Sequence, residues 1–203
     1  MKRFKWMSVL AIACFVPASP LWAATYKVDK DHSSVSFKVK HLFSNVQGQF
    51  RDFEGTIDYD PDHPETWKAQ GTLPIASIDT GVEKRDTHLR SADFFDAEKY
   101  PLLTFKTTKF TDTTKDGAKA EGLLAMHGVE RPITLDVKIH GVGNDPWGNT
   151  GAGYTATTTI NRQDFGIQWN AKLDSGGFLL GDEVTVTLEV EGILTKEMTN
   201  AEK

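Results

Sequence analysis

Apolar and polar residues alternate at period two from Val35 to the end of the chain, the spacing of strands with one dry and one wet face. In "VSFKVKH", Val35, Phe37 and Val39 share one face while Ser36, Lys38 and Lys40 share the other. "FEGTIDY" sets Phe53, Ile57 and Tyr59 against Glu54, Thr56 and Asp58. "RPITLDVKIH" places Ile133, Leu135, Val137 and Ile139 opposite Thr134, Asp136, Lys138 and His140, and "EVTVTLEVEG" aligns Val184, Val186, Leu188 and Val190. Weaker alternation covers 66–78, 102–110, 118–126 and 152–161, which brings the total to about eight strands. Strands wet on one face predict antiparallel pairing.

Turn residues fall between these runs. Asp116-Gly117 is a hairpin signal, and Asp60-Pro61 with Pro64 ends the second strand. Gly-rich "GVGNDPWGNTGAG" at 141–153 predicts a long loop, and "DSGG" at 174–177 a further turn. No repeat or linker divides the chain, so the expectation is one all-β domain. Periodicity alone leaves both a sandwich and a barrel open.

Residues 81–91 are the exception, with a helical pattern. Thr80-Gly-Val-Glu83 has the spacing of a capping box. Arg85 with Asp93, and Asp86 with Arg90, are the pairs expected to pin this helix as a cap over one end of the β structure, with Phe94 and Phe95 as its apolar underside.

The amino terminus predicts export. Lys2, Arg3 and Lys5 precede the apolar "MSVLAIACFV", and Pro17, Pro20, Ala23 and Ala24 follow, as in a secretory signal peptide cleaved after Ala23. A lipidated Cys14 is the rival reading, poorly served by Ala11, Ile12 and Phe15. Cleavage leaves 180 residues without cysteine, which excludes disulfides and thiolate metal sites from the mature domain at 24–203. Losing three basic residues also takes the formal charge from −5 to −8, a balance that disfavours nucleic acid and anionic headgroups as partners. No apolar run after Trp22 reaches transmembrane length.

Candidate chemistry is sparse. His32, His41, His63, His88, His127 and His140 show no metal-ligand spacing, so only a site assembled from distant strands is left open and no metal is assigned. Asp58, Asp60 and Asp62 are spaced as in an EF-hand, but His63 and Ala69 stand where glycine and glutamate are required. There is no G-x-S-x-G elbow, and the Gly-rich segment lacks the lysine of a P-loop. An enzyme would have to use Asp86 or His88 as base and Arg85 or Arg90 as anion holder; the ion-pair reading of these residues is favoured.

The helical segment also carries a resemblance. Lys84-Arg85-Asp86-Thr87-His88-Leu89-Arg90-Ser91-Ala92-Asp93-Phe94-Phe95, followed by Lys99-Tyr100-Pro101 and Thr104-Phe105, resembles the signature of the YceI-like family. "YKVDKDHSSVSFKVKHL", "HGVERPITL", "DPWG", "NRQDFGI" and "GDEVTVTLEVEG" extend the similarity over nearly the whole mature chain, with "WNAKLDSGGFLLGDE" as a departure.

The resemblance implies an extended, lipocalin-like barrel of eight antiparallel strands, a periplasmic location and a long apolar ligand inside. Polyisoprenoids, isoprenoid quinones and fatty-acid derivatives are the implied cargo, the quinones because some relatives are fused to membrane cytochrome domains. No catalytic residue or cofactor comes with it. The expected ligand-lining residues are Phe37, Val39, Phe53, Ile133, Leu135, Val137, Val186 and Leu188 from the inward faces. Leu89, Phe94 and Phe105 are expected from the plug region, and Phe165, Ile167, Trp169 and Phe178 from around the late loop. The alternatives are an enzyme acting on such a lipid through His88, Asp86 and Arg90, and a solid barrel serving as a structural partner. Oligomeric state is open, a homodimer included.

Overall fold

The computed structural model describes residues 23–174 and 176–196, so the signal-peptide segment and Cys14 lie outside it, apart from Ala23. Eleven strand segments form one antiparallel sheet: β1 (Ala24–Val28), β2 (Ser34–His41), β3 (Ser44–Phe50), β4 (Glu54–Tyr59), β5 (Lys68–Pro74), β6 (Ile78–Asp79), β7 (Leu102–Thr111), β8 (Gly117–Met126), β9 (Val129–Asn144), β10 (Thr150–Asn161) and β11 (Leu180–Lys196). The helix α1 is Glu83–Arg90.

Six of these segments combine into three bent strands. β1 and β2 lie end to end along β11, with Val28 opposite Gly192 and Ser34 opposite Glu189. β3 and β4 follow the same path on their other side, and β6 and β5 do so again on β3 and β4. Counted this way, eight strands run in simple up-and-down order, and the pairing of β1 with β11 closes the ring. Closure leaves this ring no free edge between its first and last strands.

The break between β1 and β2 is repaired by a side chain. The Ser33 hydroxyl accepts the Glu191 N–H at 3.0 Å, where the excursion at Asp29–Ser33 leaves no backbone acceptor, and donates at 3.3 Å to the Glu191 carbonyl, which also accepts the Asp29 N–H at 2.8 Å. At the β8–β9 hairpin, His127 and Gly128 both have positive φ (53° and 74°), the conformation a two-residue primed turn demands. Gly128 is also fixed by space, since a Cβ there would sit 2.5 Å from the Tyr100 ring.

Two local expectations need correction. The Gly-rich 141–153 stretch is mostly strand: β9 runs to Asn144 and β10 begins at Thr150, with Gly151 paired to Gly143. Only 145–149 turns, held by Asp145, whose Oδ1 accepts the Trp147 and Asn149 amides and whose Oδ2 accepts the Asn149 side-chain amide. Ladder bonds use backbone atoms alone, so antiparallel neighbours carry the glycines despite their poor strand propensity.

The capping box does not form either. The backbone at Val82 is extended and serves as N-cap, so Thr80 lies two residues before the cap and its hydroxyl accepts no first-turn backbone N–H. Glu83 instead accepts from Arg90 at 2.9 Å.

Candidate functional site: the barrel lumen

Period-two strands in a closed ring must point half their side chains inward. Here the inward set leaves a cavity of about 280 Å³ along the barrel interior, near the lower end of the ~300–1,000 Å³ typical of small-molecule sites. On β10 the lining residues are Tyr154, Ala156, Thr158 and Ile160, and on β11 Val184, Val186, Leu188 and Val190. At ~3.3 Å per residue, six residues of strand make a slot roughly 20 Å long.

Why is the space not filled? Large inward residues face small ones. Ala118, Ala120 and Gly122 are all buried on β8, and Ala152 and Ala156 are buried on β10. Gly55, Ala69 and Gly71 add small lining residues from β4 and β5. The Phe105 ring lies over Gly122, where a Cβ would come within 2.6 Å of it. Of these, Ala120, Ala156, Gly55, Ala69 and Gly71 line the cavity itself and do as much to define it as the large apolar side chains. The readable signal was the small-polar-small alternation of "GAKAEG" at 117–122.

The two ends differ. One is floored by Tyr59, Trp67 and Tyr154, with Tyr26 buried in the same cluster. Tyr59 packs on Trp67 at 4.8 Å between ring centroids and edge-on to Tyr154 at 5.7 Å. The other end carries Leu89 of α1, Phe94, Ile167 and Leu180. There the buried Arg162 donates to the carbonyls of Gly181, Ile167 and Trp169 and to the Asp182 carboxylate, all within 2.8–2.9 Å. One guanidinium thereby ties the turn after β10 to the start of β11. Burial lowers the Arg162 pKa, and Asp182 opposes that shift.

Most of the residues expected from sequence reach the lumen: Phe37, Val39, Phe53, Leu89, Phe94, Phe105, Ile133, Leu135, Val137, Ile167, Val186 and Leu188 all line it. Three do not. Phe165, only 2% exposed, is packed in the solid cluster with Phe94 and Met126. Trp169 lies outside the lumen, tilted against Phe94 and edge-on to His88, with ring centroids 5.0 Å from each. Phe178 is 60% exposed, because its loop bridges back to Lys172 rather than turning into the barrel. Sequence periodicity does not extend through 162–179, which is why these three were misplaced.

The polar segment over α1 is wired differently from expectation. Arg85 does not meet Asp93, nor Asp86 Arg90. Arg85 donates to the Thr80 hydroxyl at 2.7 Å and the Thr80 carbonyl at 2.9 Å, and the buried Asp86 accepts the Thr80 amide at 2.9 Å and its hydroxyl. Asp93 meets His88 at 2.8 Å. The late helix start explains the change: Thr80 stays in the loop before it, within reach of two first-turn side chains. Asp86, His88 and Arg90, the residues an enzyme would use, do not line the lumen.

This wiring predicts unequal mutants. Asp86→Ala removes a buried carboxylate that accepts two bonds and is expected to cost ~2–3 kcal/mol. Arg90→Ala loses a pairing with the exposed Glu83 and is expected to stay within ~0.5 kcal/mol. Urea unfolding of both variants measures the difference; equal losses would mean that Asp86 does not anchor the loop.

Asp29, His32 and Glu191 form the one group of three His or acidic side chains among the described residues whose ligand atoms all come within 4.8 Å of one another. Their chemistry is that of an ion pair. The hydrogen bond from His32 lowers the Asp29 pKa, and the same bond raises that of His32.

Comparison with known proteins agrees with this architecture. The YceI-like domain matches residues 26–192. Protein YceI of Escherichia coli O157:H7 is 41% identical over 179 residues, covering 86% of this chain and 89% of that protein. A UPF0312 protein of Pseudomonas paraeruginosa is 38% identical over 193 residues, covering 93% and 97%. Among solved structures, the Campylobacter jejuni YCEI protein shares 34% identity with a TM-score of 0.66, over 77% of this chain and 90% of that one. A polyisoprenoid binding domain from Saccharophagus degradans shares the fold at 15% identity, with a TM-score of 0.60 and coverage of 85% and 99%. By sequence and by barrel, the chain belongs to the YceI-like family.

Proposed function

We propose that this protein is a periplasmic carrier that holds one long-chain apolar ligand, a polyisoprenoid, isoprenoid quinone or fatty-acid derivative, in the barrel lumen. The observation that carries this reading is a long slot walled by apolar side chains and kept open by small ones, where a solid core would be more stable. The amino-terminal export pattern supports the location. The polyisoprenoid-binding description of the Saccharophagus degradans domain supports the chemical class.

Magnitudes fit a moderate binder. Burying ten methylene groups contributes about 8 kcal/mol, nominally near micromolar affinity, and ordering a flexible chain subtracts from it. Affinity should therefore rise with chain length until the slot is full and then level off. The test is mass spectrometry of lipid extracted from protein purified out of its own periplasm without detergent, followed by a chain-length series on the emptied protein. One discrete prenyl or acyl species per chain and a plateau in affinity are expected. A protein that arrives empty and takes up no chain of any length would end the carrier reading.

A further inference from the structure

Two phenylalanines stand in water at the α1 end of the barrel. Phe43, in the turn between β2 and β3, is 100% exposed, and Phe178, in the loop before β11, is 60% exposed. Backbone bonds hold the two segments together: the Leu42 N–H donates to the Leu179 carbonyl at 3.0 Å, and the Leu179 N–H to the Ala171 carbonyl at 2.9 Å. His41 pairs with Leu180, which lines that end of the lumen, so the two rings belong to its rim. Exposed apolar side chains gathered in one place among polar ones mark a contact surface.

The charge around them is segregated. The chain-wide balance disfavours anionic headgroups, yet residues 32–51 hold Lys38, Lys40 and Arg51 and no aspartate or glutamate. Arg51 is engaged by Asp79. Lys38, Lys40 and Lys172 are exposed and make no ion pair among the described residues. Of the acids on the facing segment, Asp182 is bound by Arg162, which leaves Asp174 and Glu183 against three lysines.

We propose that this rim docks on an anionic phospholipid bilayer, with Phe43 and Phe178 entering the headgroup layer and Lys38, Lys40 and Lys172 meeting the lipid phosphates. The inference rests on the carrier reading: a long apolar chain comes from a membrane, and docking the α1 end there shortens its passage through water. Two rings and three lysines give a weak, salt-sensitive attachment, which a carrier needs in order to leave again. The rival orientation puts the tyrosine end on the membrane through Trp147, which is 82% exposed. That turn, residues 145–149, carries Asp145 and no lysine, so its charge opposes an anionic surface.

The test is co-sedimentation of emptied full-length mature protein with vesicles of phosphatidylethanolamine and phosphatidylglycerol, with phosphatidylcholine vesicles as the neutral comparison. Partitioning should favour the anionic vesicles by about tenfold or more at low salt and weaken as salt is added. Lys38→Gln and Lys40→Gln should each cost about fivefold, and Phe43→Ser combined with Phe178→Ser about tenfold or more. Trp147→Ser should partition like the wild type. Uptake of a fluorescent prenol from the anionic vesicles should slow in the double phenylalanine variant, while its affinity for geraniol in solution stays within about twofold of the wild type. Equal partitioning to both kinds of vesicle, wild-type partitioning in the double variant, or a loss in Trp147→Ser would each overturn the docking surface and leave the carrier intact. A wild-type protein that takes up prenol neither from vesicles nor from solution would overturn both.

Discussion

Replacing Ala156 by phenylalanine should empty the barrel while leaving it folded. Ala156 sits midway along β10, faces the lumen, and pairs with Val137 on one side and Leu188 on the other. A ring there has no outward escape, because pairing with β9 and β11 on both edges fixes the pleat that points position 156 inward, so it must occupy the slot. Overpacking a filled core costs ~1–3 kcal/mol, and part of that should be recovered here by filling existing space. Retention of a long prenyl or acyl chain should fall at least ~100-fold, close to 3 kcal/mol, as measured by lipid content per chain after purification. Unchanged lipid content in a folded variant would place the ligand somewhere other than the lumen.

Arg162→Met should give the largest loss of stability. The side chain is almost wholly buried and ties together two segments that share no ladder with each other, the turn at 162–169 and the start of β11. Methionine replaces its volume but strands three carbonyls and leaves Asp182 with only the Gln163 side-chain amide, without a counter-charge. Removing one member of such a network is worth ~3–5 kcal/mol, or a fall in Tm of very roughly 6–20 °C for a domain of this size. Arg162→Lys should recover little, since one ammonium cannot replace a planar fork reaching both segments. Thermal and urea unfolding measure both variants. A loss below ~1 kcal/mol would show that the loop is held by its apolar contacts with Phe165 and Ile167 instead.

The contrast between these two sites shows where sequence reading worked. Val186 and Leu188 could be assigned to the lumen because each inward residue is two positions from the next, whatever the strand pairs with. The same holds for Ile133, Leu135 and Val137 on β9. Arg162, Phe165, Trp169 and Phe178 lie where no such period exists. Their neighbours are determined by how the turn after β10 folds back, so a buried arginine and an exposed phenylalanine were equally invisible beforehand.

By itself the sequence determined most of the strands, though not β1, β3 or the strand ends at 141–144 and 150–151, together with their inward faces, the helix and the family motifs. Each of these depends on backbone geometry repeating over a few residues, and such periods survive in a linear pattern. The tertiary structure alone decided ring closure through β1 and β11, the wiring of Thr80 with Arg85 and Asp86, and above all the lumen itself. A void is a property of facing residues: Ala120 and Ala156 matter only because the strands opposite do not reach into the space they leave.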